Sequence, residues 1–324
     1  PALRITTLDP PYPARWRIDG CDSQGTQFYA IPLFAAPIVP RRIDVYIPSQ
    51  DRHPAHLRAA LDSASSFCIR DARAARLGIT AHVVRALECW VEREGEDVVG
   101  GLWNSSPFGS RVVIDAVVAD PRRMACRLVK DFESERQMVS VARLKELWGS
   151  EVVAYPASVD IEELVLRQQL HDTISLVELP GRLGRGREKV VFKSTVHEVK
   201  YMYHELKLLL TMPSHSGIMP KPLYLVTAKD RYGGEDKVFG FILPFFEGGN
   251  LADELSRRKY NGTLNLKDQF RWARQIAETL KVINISTARF YSELKADNLL
   301  LDKDENVLFI DFEQMGKPYR NHGK

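Results

Sequence analysis

The sequence predicts an α+β protein in two parts, and three observations carry that expectation. Its 324 residues exceed the usual size of one domain. Its apolar fraction of 44% and charged fraction of 27% are those of a globular chain with a sizeable core. Strand and helix patterns are mixed along the chain without the regular βαβ alternation of a parallel sheet. Pro156 marks the expected boundary, with an α+β domain over 1–155 and a second domain over 156–324.

The first fifty residues are rich in proline (Pro10, Pro11, Pro13, Pro32, Pro37, Pro40, Pro48), which disfavours helix and leaves short strands near Phe28–Ile31 and Ile43–Ile47. Helices are expected over His56–Phe67 and Ala81–Glu94, the second capped by Thr80 and stopped by Gly95. Strands follow near Val98–Trp103, Arg111–Val118 and Ala125–Val129, then a helix over Glu133–Trp148 and a strand over Val152–Tyr155. No catalytic constellation stands out in 1–155. His53, His56 and His82 have no partners at ligand spacing and read as surface or core residues.

Past the boundary, Ser158 or Asp160 is placed to cap a helix over Ile161–Leu170, followed by strands at Ile174–Leu179 and Lys189–Ser194. Between those strands, Pro180–Gly186 is glycine-rich, which suits a phosphate loop or, at least as well, a hairpin turn. Thr195–Glu198 has the form of a capping box opening a helix to Leu210, with Glu205 beside its apolar stripe. Strands at Pro222–Thr227 and Val238–Pro244 flank a Gly233-Gly234 turn. Helices over Leu251–Arg258 and Leu266–Ile283 lead to the segment YSELKADNLLLDKDENVLFIDFEQ, residues 291–314. There, two short strands pinned by a turn at Asp302–Asn306 hold Asn298 and Asp311 side by side. An oxygen pair of that kind suits a magnesium ion bridging phosphates.

Composition excludes several classes. A net charge of +3 with scattered basic pairs makes a nucleic-acid partner unlikely. The longest apolar run, Phe28–Val39, is broken by Pro32 and Pro37 and does not span a bilayer. No charged-then-apolar leader opens the chain, so an intracellular location, cytoplasmic or nuclear, is expected. Pro1 is consistent with removal of an initiator Met, and nothing near it supports a catalytic amine. Cys21, Cys68, Cys89 and Cys126 lack metal-ligand spacing and read as free thiols.

Taken in order, VVFKS with Lys193, YHELKLLL with Glu205, FILPFFEGGNL, YSELKADN and DFEQ resemble a protein kinase, and the wording is similar to divergent kinase-like proteins of filamentous fungi. The resemblance covers about Ile174–Gln314. The family's catalytic loop reads H-R-D-L-x-x-x-N, with a DFG further on, and Glu293 to Asn298 keeps the required interval. The resemblance implies ATP and Mg2+ as cofactors. Lys193 would neutralise the α- and β-phosphates, held by Glu205, and Asn298 and Asp311 would ligate the metal. Glu293 would be the base, and Lys295 would spread the charge of the transferred phosphate. Leu243, Phe245 and Phe246 would cover the adenine, although both phenylalanines read equally well as core aromatics.

The chain departs from the family pattern at named positions. Glu293 stands where an Asp belongs, Tyr291-Ser292 where His-Arg belongs, and Glu313 where the DFG glycine belongs. Gly186 lies only seven residues before Lys193. The activation segment, the peptide platform and the later helices are not among the 324 residues, so one face of the 266–283 helix is expected to be covered by the N-terminal domain or by a protein partner, or the chain is a truncated family member of reduced stability. Two functions remain open: ATP-dependent phosphoryl transfer to protein Ser/Thr, or a pseudokinase acting as a nucleotide-binding scaffold or regulator.

Overall fold

The computed structural model describes residues 14–22, 26–47, 72–115, 117, 118, 120–183 and 189–312, with backbone alone for 72–77. These residues are mixed α+β and form two compact units, each assembled from two stretches of chain. The first takes the chain up to Gln137 and then Ile161–Gly184; the second takes Met138–Asp160 and the chain from Arg185 onward.

The first unit is built on a five-stranded sheet of β1 (Trp16–Cys21), β2 (Gln27–Pro32), β3 (Asp44–Tyr46), β4 (Arg111–Ile114) and β5 (Cys126–Val129), in that spatial order. Neighbours are antiparallel except β3 and β4. That parallel pair needs a long crossover, and the connection contains α1 (Ala72–Glu94) and α2 (Glu96–Ser105). Val83, Leu87 and Trp90 of α1 close the core over Trp16, Phe28, Val45 and Val112 of the sheet. Gly95, at φ 92°, separates the two helices in a conformation that disfavours side chains.

Several expectations are corrected here. The strand expected over Val98–Trp103 is α2, because Val99 and Trp103 recur at helical spacing and bury together. Thr80 lies inside α1, well past its start, and not at an N-cap. The Glu133–Trp148 helix is two, α3 (Glu133–Gln137) and α4 (Val141–Trp148). Ser140 caps the second by accepting from the Arg143 amide at 3.1 Å. No strand forms at Val152–Tyr155, where the Tyr155 ring instead stacks on Trp148 at 5.9 Å. The helix expected over Ile161–Leu170 is a single 3-10 turn followed by β7 (Val165–His171), which pairs with β8 (Ile174–Glu178) as a hairpin. Cross-strand pairing overrides the helix-forming Glu, Leu and Gln of this stretch. The expected His56–Phe67 helix, Cys68, His53 and His56 lie outside the described residues.

The second unit carries β6 (Ser158–Asp160), β9 (Lys189–Lys193), β10 (Tyr224–Ala228) and β11 (Lys237–Pro244). β6 runs parallel to β10, which pairs antiparallel with β11, and β11 with β9. The half-buried Tyr203 phenol of α5 (Val199–Thr211) donates to the Val238 carbonyl at 2.7 Å and accepts from the Val139 amide at 3.0 Å. The capping box expected at Thr195–Glu198 does not form. Helix α5 opens only after Glu198, at φ 50°, and the Thr195 hydroxyl bonds to the His197 amide and carbonyl.

Helices α6 (Leu251–Tyr260) and α7 (Leu266–Ile285) are each capped by an asparagine, Asn250 and Asn265, accepting a backbone amide at 2.8 Å. The hairpin β12 (Leu299–Leu301) and β13 (Val307–Phe309) completes the unit. Among the described residues, no helix is long and apolar enough to cross a membrane.

Candidate functional site

Lys193 ends β9 directly opposite Phe241 of β11, so it shares a sheet face with Val191, Phe241 and Leu243. The backbones approach closely at this point. A Cβ on Gly240 would lie 2.2 Å from the Lys193 carbonyl oxygen, so only glycine fits there. Glu205 lies on the buried face of α5 with Met202, Leu206 and Leu209. Its Oε2 is 2.6 Å from Lys193 Nζ, and the two side chains are only 2% and 5% exposed. Burial of a charge is tolerated only when it is paired, and this pair meets that condition across β9 and α5.

Asp311 supplies a second carboxylate. Its Oδ1 is 3.1 Å from Lys193 Nζ, while its side chain remains 31% exposed. Its backbone sits at φ 64°, a left-handed conformation that costs a non-glycine residue about 1–2 kcal/mol. The adjoining Phe312 amide donates to Glu205 Oε1 at 3.1 Å. Glu205 therefore holds the lysine with one oxygen and the backbone next to Asp311 with the other. Strain of this kind persists where the surroundings over-determine the conformation.

Tyr291 adds a third hold. Its hydroxyl donates to the Ile310 carbonyl at 2.5 Å, and its ring packs edge-on against Phe309 and Phe312 at 5.1 and 5.4 Å. Burial first, and then the Asp311 charge, push the Tyr291 phenol well above its ordinary range; a hydrogen bond from Asn298 and the Lys193 charge oppose them. The Tyr291 hydroxyl therefore stays protonated and donating.

Asn298, buried, closes the 3-10 turn before β12. Its carbonyl accepts from the Ile310 amide at 3.1 Å, which extends the hairpin register and sets Asn298 beside the residue preceding Asp311. Its side-chain amide donates to the Glu293 carbonyl at 3.3 Å. The hairpin thus places Asn298 and Asp311 at one end, as the sequence suggests.

The opposite end, the Asp302–Asn306 turn, is clamped by helices. Asp302 Oδ1 accepts from the Asp304 and Asn306 amides at 2.8 Å. Glu305 pairs with Arg258 of α6 and, at 2.9 Å, with Arg271 of α7. The Trp272 indole donates to the Glu305 carbonyl at 3.0 Å, and Arg258 also pairs with Glu254 at 2.5 Å and Asp268 at 2.6 Å.

The remaining candidates are placed differently. Glu293 and Lys295 lie half-exposed on the loop, and their side chains pair with one another at 3.3 Å. Leu243 is buried in β11, and Phe245 and Phe246 follow the strand end half-buried. The loop after them is tied to the hairpin: the Leu301 amide donates to the Gly249 carbonyl at 2.9 Å, and a Cβ on Gly248 would lie 2.4 Å from the Leu301 oxygen. Of the glycine-rich stretch, Pro180–Leu183 form a turn, and Gly184 and Gly186 lie outside the described residues.

Among the described residues, no group of three or more His, Cys, Asp or Glu is placed to hold a metal ion. Asn298 and Asp311 offer two hard oxygen ligands. That suits magnesium, which retains water and phosphate oxygens in most sites, and not a metal needing a full protein cage. One lysine faces two carboxylates, so the cluster carries an excess negative charge that a divalent cation would offset. The sequence reading missed Gly240 and the hold by Tyr291. A glycine inside an apolar strand is the signal that points to the first.

The first unit has its own buried ionic cluster, which the sequence did not reveal. Arg42, at φ 54° and with its side chain 1% exposed, pairs through Nη2 with Asp44 at 2.6 Å and with Asp172 of the β7–β8 turn at 2.8 Å. Gln27 Nε2 donates to the same two carboxylates, at 2.7 and 3.2 Å. Burial alone would lower the Arg42 guanidinium, but Asp44 and Asp172 beside it leave it raised. The adjoining cavity, lined by Tyr29, Arg42, Asp44, Trp103 and Gln169, has about 20 Å³ open to a water-sized sphere. That is too small for a metabolite. No protein-family model matches this chain, and no curated protein matches it.

Proposed function

We propose that the second unit is a protein-kinase-like nucleotide-binding module that takes ATP with Mg2+ at the Lys193–Asp311 pole, in an intracellular protein that acts on or with a protein partner. The carrying observation is the meeting of Lys193, Glu205 and Asp311 at one ammonium, although Lys193 and Asp311 are 118 positions apart. In this reading Glu205 orients Lys193 toward the phosphates, Tyr291 and the Phe312 amide fix the backbone that presents Asp311, and Asn298 supplies the second metal oxygen. The bound metal would neutralise phosphate charge. Leu243 and the loop from Phe245 to Asn250 would lie against the base.

The pairing of Glu293 with Lys295 favours binding without turnover. The two side chains engage one another at 3.3 Å, so the Glu293 carboxylate is taken up by an ammonium where a base would face a substrate hydroxyl. Phosphoryl transfer to a Ser/Thr hydroxyl, with Glu293 as base, is the second reading.

Thermal-shift titration with ATP, with and without Mg2+, tests the first. A ligand at a hundred times its Kd stabilises by about 2.7 kcal/mol. The full shift is expected only with both present, and it should be lost in Lys193→Met. No shift under any condition would sink nucleotide binding. The second reading requires γ-phosphate transfer to a generic protein substrate that falls in both Glu293→Ala and Asp311→Ala.

A further inference from the structure

The outer face of α7 has no role in the nucleotide reading. The inner face of this helix buries Trp272, Thr279 and Ile283. The outer face presents Leu266, Phe270, Ala273 and Ala277, spaced four, three and four apart, and all are exposed. Leu266 is 69% exposed and Phe270 73%. Half-buried Leu280 continues the row, giving a stripe about 21 Å long at 1.5 Å per residue. A repeat of 3.5 residues is that of a seam between two helices, whereas a helix covering a globular core shows a broader stripe.

Charge runs beside that stripe on one side. Lys267, Arg274 and Lys281 are seven residues apart and exposed, so they form one row at the flank of the seam. Glu278 is the acid on this side, 3.7 Å from Arg274 Nε.

We infer that this face docks a single acidic amphipathic helix from another protein, its apolar seam on Leu266–Leu280 and its acidic row against Lys267, Arg274 and Lys281. Ala273 and Ala277 at the centre let a second helix axis approach to about 8 Å. The same two alanines offer little apolar surface to insert into a lipid interface, which disfavours a membrane as occupant. A second copy packed antiparallel would set the basic row against itself, which disfavours a homodimer. The inference is independent of the nucleotide site and uses none of its residues.

The test uses the whole chain and a fluorescein-labelled designed peptide of about three heptads, with leucine at the seam positions and glutamate along the flank. A counterpart with lysine for glutamate serves as control. Saturable binding of the glutamate peptide is expected, read by anisotropy and weakened by salt. Leu266→Ser with Phe270→Ser should weaken it by at least about tenfold. Lys267→Glu with Arg274→Glu and Lys281→Glu should transfer the preference to the lysine peptide. All these positions are exposed, so both variants should keep the parent melting temperature, which is measured alongside. Absence of binding, equal binding of both peptides, or a preference unchanged by the charge reversal would overturn the inference. So would self-association in sedimentation that Phe270→Ser abolishes, or tighter binding to phosphatidylserine vesicles than to the peptide.

Discussion

Each unit buries one cation between two carboxylates, and the two clusters differ in what they leave accessible. In the first unit Arg42 is sealed and its charge is permanent, and Gln27 bridges the same two acids. In the second, Lys193 is a point charge whose second partner, Asp311, keeps its side chain 31% exposed on a strained backbone. A sealed cluster locks segments together, here β2, β3 and the β7–β8 turn. A cluster with one exposed, strained acid presents chemistry to a ligand. Burial of a charge alone therefore separates nothing; the exposure and backbone state of its partners do.

The largest expected effect breaks the sealed cluster. Arg42→Met leaves Asp44 and Asp172 without their cation and should cost about 3–5 kcal/mol in urea unfolding. A loss under about 1 kcal/mol would mean that the arginine is no lock. Glu205→Ala should cost somewhat less, about 3 kcal/mol, since Asp311 remains beside Lys193; it should also remove the Mg2+-dependent nucleotide shift. Asp311→Gly sharpens the contrast most. It exchanges a half-exposed ion pair for relief of a left-handed conformation, so stability should stay within about 1 kcal/mol of the parent. The Mg2+-dependent part of the ATP shift should vanish all the same. Loss of several kcal/mol in this variant would make Asp311 structural, like Asp44.

The smallest effect lies at the helix clamp. Burial alone would raise the Glu254 carboxyl, but Arg258 and Arg257 hydrogen bonds and charges hold it below its ordinary 4.5. A depressed carboxylate contributes stability that is complete above its unfolded value and is lost as pH falls through its folded one. Acid titration below about pH 4.5 should therefore weaken the parent more steeply than Glu254→Gln, by a few tenths of a kcal/mol per pH unit. Parallel slopes would remove Glu254 from the clamp.

How much of this was legible varied with the range of the interaction. Strands with strong apolar character (β2, β4, β5, β9 to β13) and the long helices α1 and α7 follow from local pattern. The Asn298–Asp311 hairpin was legible because both strands and their turn fall within fourteen consecutive residues. The pairing of Lys193 with Glu205 was legible only as an expectation drawn from resemblance. By contrast, β7 carries helix-forming residues yet pairs with the adjacent β8, and the β-branched and aromatic residues of α2 favour strand although Val99 and Trp103 recur at helical spacing. The Arg42 cluster was invisible because Asp172 is 130 positions away and falls between an expected helix ending at Leu170 and a strand, with no hairpin expected there. The fine holds, Tyr291 on Ile310 and Glu205 on Phe312, depend on backbone groups, which carry no mark in the sequence.

The interleaved chain path has a consequence for synthesis. Residues 138–160 emerge before the first unit has its last strands, yet β6 pairs with β10, the Val139 amide donates to the Tyr203 hydroxyl, and the Val139 carbonyl accepts from the Val238 amide, all of them made later. During translation β6 and Val139 thus precede these partners while β7 and β8 are still being made. No single cut in the chain separates the two units from one another with both whole. A fragment beginning at Pro156 would carry a Tyr203 hydroxyl without its contacts to the Val139 amide and the Met138 sulfur, and a ribosome paused between 160 and 224 would expose strand β6 before β10 is made.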